Sequence, residues 1–409
     1  MLKCLARHFS TDVLGHYFSP MDISIFLKRS AWHEKDENTV PPSALFHDVT
    51  FYRGEEDFDW NGVKLAFFNV LEDRNSNYNK GCGEAGDTLR DKLYYLTKWD
   101  LPSGWADLGV VEPGETVEDT YFAVRSICEG LIKKQIVPVI VGGSQDITYA
   151  NYLAYEKLEQ TINLVTIDAR LDFATSHDDQ SSQGYLNKIV LHRPNYLFNY
   201  SNLGHQRYLT DPDLLTLVKK MYFDATRLGE VQGNLKGIEP VIRNADMISI
   251  DLSSIRQSEF PGVGTASPNG FFGNEMAQMA RYAGMSDKLT SIGFYEFNPS
   301  LDRDGQSANM LAQIIWCFVE GFLQRKGDFP KADYSEYIQY SVLLDESGDT
   351  LVFYKSPMSG RWWMDVPYPA GSTEKYERHH LVPCTYEDYE LALEQEMPDR
   401  WWRTFQKLI

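Results

Sequence analysis

Between about residues 63 and 328, hydrophobic positions fall into two kinds of run. Short stretches are apolar at nearly every position: 63–70 (VKLAFFNV), 136–141, 163–167, 247–250 and 289–294. A strand covered on one face alternates, whereas one covered on both faces reads as a continuous apolar run, so these are buried strands. Stretches of helical character lie between them at 84–96, 117–133, 151–160, 214–222, 274–283 (closed by Gly284) and 307–324. Strands alternating with helices predict an α/β fold, a parallel sheet covered on both faces. The alternation stops near Asp328. Beyond it, 337–344 and 350–354 flank the turn-forming Asp345-Glu346-Ser347-Gly348-Asp349 and predict a hairpin, and 386–407 reads as a last helix. The chain therefore divides into an N-terminal elaboration (1–62), an α/β domain (63–330) and an aromatic-rich C-terminal extension (331–409).

Composition narrows the classes of function. Of 409 residues, 43% are hydrophobic and 24% charged, the balance of a globular chain with a full core. The 58 acidic against 39 basic residues leave a formal charge of −19, which repels a phosphate backbone and argues against nucleic acid as a partner. Cys4, Cys82, Cys128, Cys317 and Cys384 are odd in number and widely spaced, so neither a disulfide framework nor a zinc site is expected. The start of the chain has no signal-peptide pattern, and no run reaches the roughly 20 apolar residues of a membrane span. A cytoplasmic protein, with no membrane partner, is the expectation.

Ligands of open parallel sheets bind beyond the carboxyl ends of the strands. Three of those ends carry polar clusters: Gly142-Gly143-Ser144-Gln145-Asp146, Asp168-Ala169-Arg170-Leu171-Asp172 and Asp251-Leu252-Ser253. In an extended chain, positions 168, 170 and 172 share one side, as do 251 and 253, so five polar side chains are expected to converge. No phosphate-binding loop, dinucleotide fingerprint or GxSxG nucleophile signature accompanies them.

These clusters resemble the GGDHS, DAHxD and SxDxD motifs of the ureohydrolase superfamily (arginase, agmatinase and formimidoylglutamase), the last matched by Ser249-Ile250-Asp251-Leu252-Ser253. Pro261-Gly262-Val263-Gly264-Thr265 with Pro268-Asn269-Gly270 resembles that family's PGxGTPxPGG loop, and Tyr295-Glu296-Phe297-Asn298-Pro299 with Asp302 its ExNPxxD segment. Gly81-Cys82-Gly83-Glu84-Ala85-Gly86 with Leu89-Arg90 is similar to NxGxxxGPxxIR, and Asp107-Leu108-Gly109 to DxGD. Ser181-Ser182-Gln183-Gly184 in place of an SGNxHG loop points to the formimidoylglutamase branch. The resemblance implies an arginase-like, three-layer αβα sandwich and an oligomer, commonly a trimer or hexamer.

It also implies two Mn²⁺ ions held by two histidines and four aspartates, activating a water for attack on a guanidino or formimino carbon. This chain departs from that set. The histidine positions hold Gln145 and Arg170, and the aspartate positions hold Asp168, Asp172, Asp251 and Ser253. A serine hydroxyl is a poor manganese ligand, and a guanidinium has no acceptor. Three carboxylates and one guanidinium leave a formal excess of two negative charges, to be relieved by Arg170 making paired hydrogen bonds to Asp168, Asp172 or Asp251, or by one Asp taking up a proton.

The reading favoured by these departures is a pseudoenzyme with no metal cofactor, in which Arg170 stands in for the metal cluster and the protein acts by binding or assembly. Glu296, at the position that holds the substrate's guanidinium or amidine in the family, leaves room for a small cationic or amidine ligand. The alternative is an active manganese-dependent C–N hydrolase of formimidoylglutamate or a guanidino compound with a mononuclear or rearranged site on Asp168, Asp172 and Asp251, for which His177 and Asp178 are the nearest spare ligands. A third reading makes the extension, with Trp362, Trp363, Trp401 and Trp402, an interface for a protein partner or a further copy of the chain.

Overall fold

A computed structural model describes residues 23–54, 58–173, 181–330, 334–344, 348–369 and 377–408. Nine strands, β1 (Val49–Phe51), β2 (Leu65–Val70), β3 (Trp105–Val111), β4 (Val137–Val141), β5 (Ile162–Ile167), β6 (Leu197–His205), β7 (Asp224–Arg227), β8 (Met247–Asp251) and β9 (Ser291–Tyr295), form one sheet in the order β1-β3-β2-β4-β9-β8-β5-β6-β7. Every pairing in it is parallel. The continuous apolar runs are buried on both faces: Leu65 and Phe67 of β2 enter one core while Ala66, Phe68 and Val70 enter the other. Likewise Val165 and Ile167 of β5 face away from Ile162 and Leu164. The α/β sandwich expected from the pattern is the fold observed.

Helices cover the two faces. Val117–Lys133 matches its predicted limits because Thr116 caps it, in a reciprocal pair with Asp119. Predicted helices elsewhere shift by a few residues, as at Ile147–Lys157 and Pro212–Lys220. The N-terminal elaboration is joined to the domain, since β1 pairs with β3. Two of the sequence motifs meet away from the strand ends. Arg90 binds both carboxylate oxygens of Asp107, at 2.7 and 2.9 Å, with Tyr94 as a further donor, in a pair fully shielded from water.

The C-terminal extension is richer than a hairpin and a helix. β10 (Ile338–Leu343), β11 (Thr350–Lys355), β12 (Trp362–Asp365) and β13 (Leu381–Cys384) form an antiparallel sheet, followed by helices Tyr386–Leu393 and Asp399–Leu408. The predicted single helix is broken because Pro398 cannot continue it. Residues 345–347 of the predicted turn lie outside the described residues. Among the described residues, no helix is long and apolar enough to cross a membrane.

Candidate functional site

The carboxyl ends of four adjacent central strands, β4, β9, β8 and β5, open on one place, and each delivers part of the site. Beyond β4 the chain turns through Gly142 and Gly143, both at positive φ (84° and 72°). A Cβ on Gly143 would sit 2.5 Å from the Glu72 carbonyl oxygen, so only glycine lets this turn pack against its neighbour. The turn places Gln145 inside, 2% exposed. β5 delivers Asp168 and Asp172, β8 Asp251, and β9 Glu296, which takes φ 70° and so carries backbone strain.

Asp168, Asp172 and Asp251 converge, with carboxylate oxygens all within 4.8 Å of one another. Burial, and then the neighbouring carboxylates of Asp172 and Asp251, pushes the Asp168 carboxyl well above its ordinary value. Burial and Asp251 push Asp172 up to about 7. Burial also raises Asp251, against the lowering pull of the Ser253 N–H, 2.7 Å from its Oδ1. Glu296 is pushed up to about 8 by burial and by Asp251. At neutral pH the group therefore retains protons that free carboxylates would have lost.

Gln145 stands in the middle of these acids. Its amide orientation follows from its surroundings, because an oxygen facing three carboxylates would be repelled. With nitrogen on that side, Nε2 lies 2.8 Å from Asp172 Oδ2, 3.2 Å from Asp251 Oδ2 and 3.3 Å from Asp168 Oδ2, while the amide oxygen accepts from the Tyr185 hydroxyl at 3.3 Å. Two amide hydrogens thus serve three acceptors.

Arg170 is placed differently from the sequence expectation. The backbone bends after β5, with the Arg170 N–H donating to Asp168 Oδ1 at 2.8 Å, so the alternation of an extended chain is lost. No ion pair within 4 Å among the described residues includes Arg170. Its charge reaches Asp172 and Asp251 only as a field that lowers them. Relief of the acidic excess thus comes from Gln145 and retained protons, and the bonds expected from Arg170 to the aspartates are not formed. Ser253 is buried beside Asp251.

Glu296 is held within the protein. One carboxylate oxygen accepts from Asn79 Nδ2 and the other from the Gln145 backbone N–H, each at 2.9 Å. Asn79 and Tyr185 were not singled out in the sequence; the spacing Asn79-x-Gly81 is the signal that marks the first, and nothing local marks the second. Asp146, next to Gln145, is saturated by Tyr121, Ser144 and Asn75. His177 and Asp178 lie outside the described residues.

The space bounded by Asn79, Gln145, Asp172, Asp251 and Glu296 is about 20 Å³, on the scale of a single water. Among the described residues, the donor set does not fit two manganese ions. Three carboxylates and one amide converge, Ser253 takes the place of a fourth carboxylate, and Arg170 cannot ligate.

A family model for the arginase family matches residues 63–320. The formimidoylglutamase of Staphylococcus aureus is 26% identical over 305 residues, covering 71% of this chain and 97% of its own. That of Staphylococcus haemolyticus is 27% identical over 272 residues, 64% of this chain and 86% of its own. In fold, the chain is similar to Trypanosoma cruzi formiminoglutamase with Mn²⁺ (TM-score 0.60, 16% identity, 66% of this chain and 97% of that one). It is also similar to formimidoylglutamase from Bacillus subtilis (TM-score 0.62, 19% identity, 75% and 98%). A parallel sheet whose strand ends carry the acids, and a model matched over more than half of the length, agree: the chain belongs to the arginase family.

Proposed function

We propose that this protein is a cytoplasmic, metal-independent member of its family that acts by binding or assembly and not by hydrolysis. The observation that carries this reading is the amide of Gln145, which lies within 2.8–3.3 Å of all three carboxylates and fills the place where their common ligand would sit. Two features support it. Both oxygens of Glu296 are already bonded, and the remaining space is on the scale of one water. Assembly, as a homo-oligomer or with a protein partner through the C-terminal extension, is the corresponding mode of action. Of the four tryptophans there, Trp362, Trp363 and Trp401 belong to buried cores, and Trp402 is left exposed.

A second reading keeps one metal ion on Asp168, Asp172 and Asp251, favoured by their convergence within 4.8 Å. It makes the protein a hydrolase of formimidoylglutamate or a guanidino compound. Metal analysis after incubation with Mn²⁺ and desalting separates the two. The expected result is no retained manganese and no turnover of formimidoylglutamate, arginine, agmatine or guanidinobutyrate in excess Mn²⁺. One ion per chain, with turnover abolished by Asp168→Ala, would establish the second reading.

A further inference from the structure

A second cavity lies elsewhere, along the free edge of β7, and its chemistry is opposite to that of the acidic site. It is an open groove of about 720 Å³ between the helix Pro212–Lys220, β7 and the final helix. Leu215, Phe223 and Ala225 give it an apolar floor. Arg207, Lys219, Arg227 and Arg403 line it, a cationic concentration on a chain of net charge −19. Arg403 is paired with Asp224 and Asp399. Among the described residues, Arg207, Lys219 and Arg227 take part in no ion pair within 4 Å. The acid on the wall, Glu230, accepts from the Arg227 backbone N–H at 3.3 Å.

One further observation concerns how the groove is built. Arg403 lies beyond residue 320, where the family match stops, so the C-terminal extension completes a groove that the matched domain alone would leave open.

We propose that this groove binds a small organic anion with two or more negative charges, of the carboxylate or phosphate-ester class, its charged groups on the guanidinium forks and its apolar body on the floor. Arginine forks match both anions in geometry, and the unpaired cations supply the charge. The proposal is independent of the reading of the acidic site.

The test is calorimetric titration of the full chain with pyrophosphate, citrate and phenyl phosphate at low ionic strength. At least one is expected to bind saturably, one per chain, with Kd below about 1 mM. The double substitution Arg207→Gln/Arg227→Gln, at two exposed side chains, is expected to weaken it about tenfold or more. Lys236→Gln, an exposed cation on another helix, and Asp168→Asn, in the acidic site, should leave it unchanged. Phenyl phosphate binding better than inorganic phosphate, titrated alongside as a control, would support the role of the floor. Absence of saturable binding by all three, equal weakening by Lys236→Gln, or binding that survives the double substitution would overturn the proposal. So would self-association abolished by the double substitution in a chain that ignores the anions, because the occupant would then be an acidic surface of a second copy.

Discussion

At the amino-terminal ends of its strands the central sheet buries Asp246 between two cations, whereas at the carboxyl ends it buries Asp168, Asp172, Asp251 and Glu296 with no cation paired to them among the described residues. Asp246 accepts from Arg378, lies 3.8 Å from the Lys288 ammonium, and takes the Asn163 backbone N–H at 2.9 Å. Arg378 comes from the C-terminal extension, so this pairing also ties that extension to the sheet. The difference separates two uses of buried charge. Paired charge fixes structure, and its loss is expensive; unpaired charge at a strand end is tolerated by holding protons and by one well-placed amide.

The largest effect is expected at the paired end. Asp246→Ala leaves Lys288 and Arg378 without their acid and an N–H without its acceptor, and should cost about 3–5 kcal/mol in urea unfolding. A loss below about 1 kcal/mol would mean that the extension is held by its aromatic packing and not by this pair.

The unpaired end should respond in the opposite sense. Asp172→Asn removes a charge from a like-charged cluster and is expected to stabilise the chelator-treated protein by about 1–3 kcal/mol at pH 8. The sign follows from the shifts. Ordinary values of 3.8 for Asp172 and 4.5 for Glu296 rise to about 7 and about 8 on folding. Between about pH 4 and pH 8 the folded chain thus holds protons that the unfolded chain has released, and stability falls as pH rises across that window. The substitution should flatten the slope. Destabilisation of the untreated, manganese-incubated protein, with loss of a bound ion, would instead support the metal-bound reading.

How much of this contrast could be read from the sequence depended on the local signal. Strands buried on both faces announced themselves as apolar runs, which is why β2, β4, β5, β8 and β9 were found with small errors at their ends. β3 was hidden because Asp107 and Gly109 interrupt its run, β6 because it buries Asn202 and Ser201, and β7 because it has only four residues. The acids of the site were legible because a parallel sheet directs its strand ends to one place. Position alone could not show that the chain bends at Arg170, nor that the amide of Gln145 turns toward the acids. The bend is a local turn closed by the Arg170 N–H on Asp168, which alternation does not anticipate, and the amide orientation depends on Tyr185 and on acids distant in sequence. The aromatic extension looked like an interface in composition, yet Tyr340, Trp362 and Tyr389 pack against one another inside its own core.

Gln145 offers a sharper probe of the same end. Gln145→Leu keeps approximate bulk but removes the donor shared by three carboxylates, and should cost about 1–3 kcal/mol at pH 8. Because those carboxylates are protonated on acidification, the cost should shrink toward pH 5. A loss independent of pH would point to packing and not to the amide.

The smallest effect is expected at the residue that charge counting alone makes the most important. If Arg170 were the counter-ion of the cluster, its removal would strand three acids and resemble Asp246→Ala in reverse. In the structure it sits outside the contact distance of an ion pair, so Arg170→Gln should change stability by no more than about 0.5 kcal/mol at pH 5. A slightly larger loss is expected at pH 8, since its field still lowers Asp172 and Asp251. Urea unfolding at the two pH values measures both terms. A loss above about 2 kcal/mol at pH 8 would show that Arg170 does pair with the acids in solution, and the two ends of the sheet would then follow one rule.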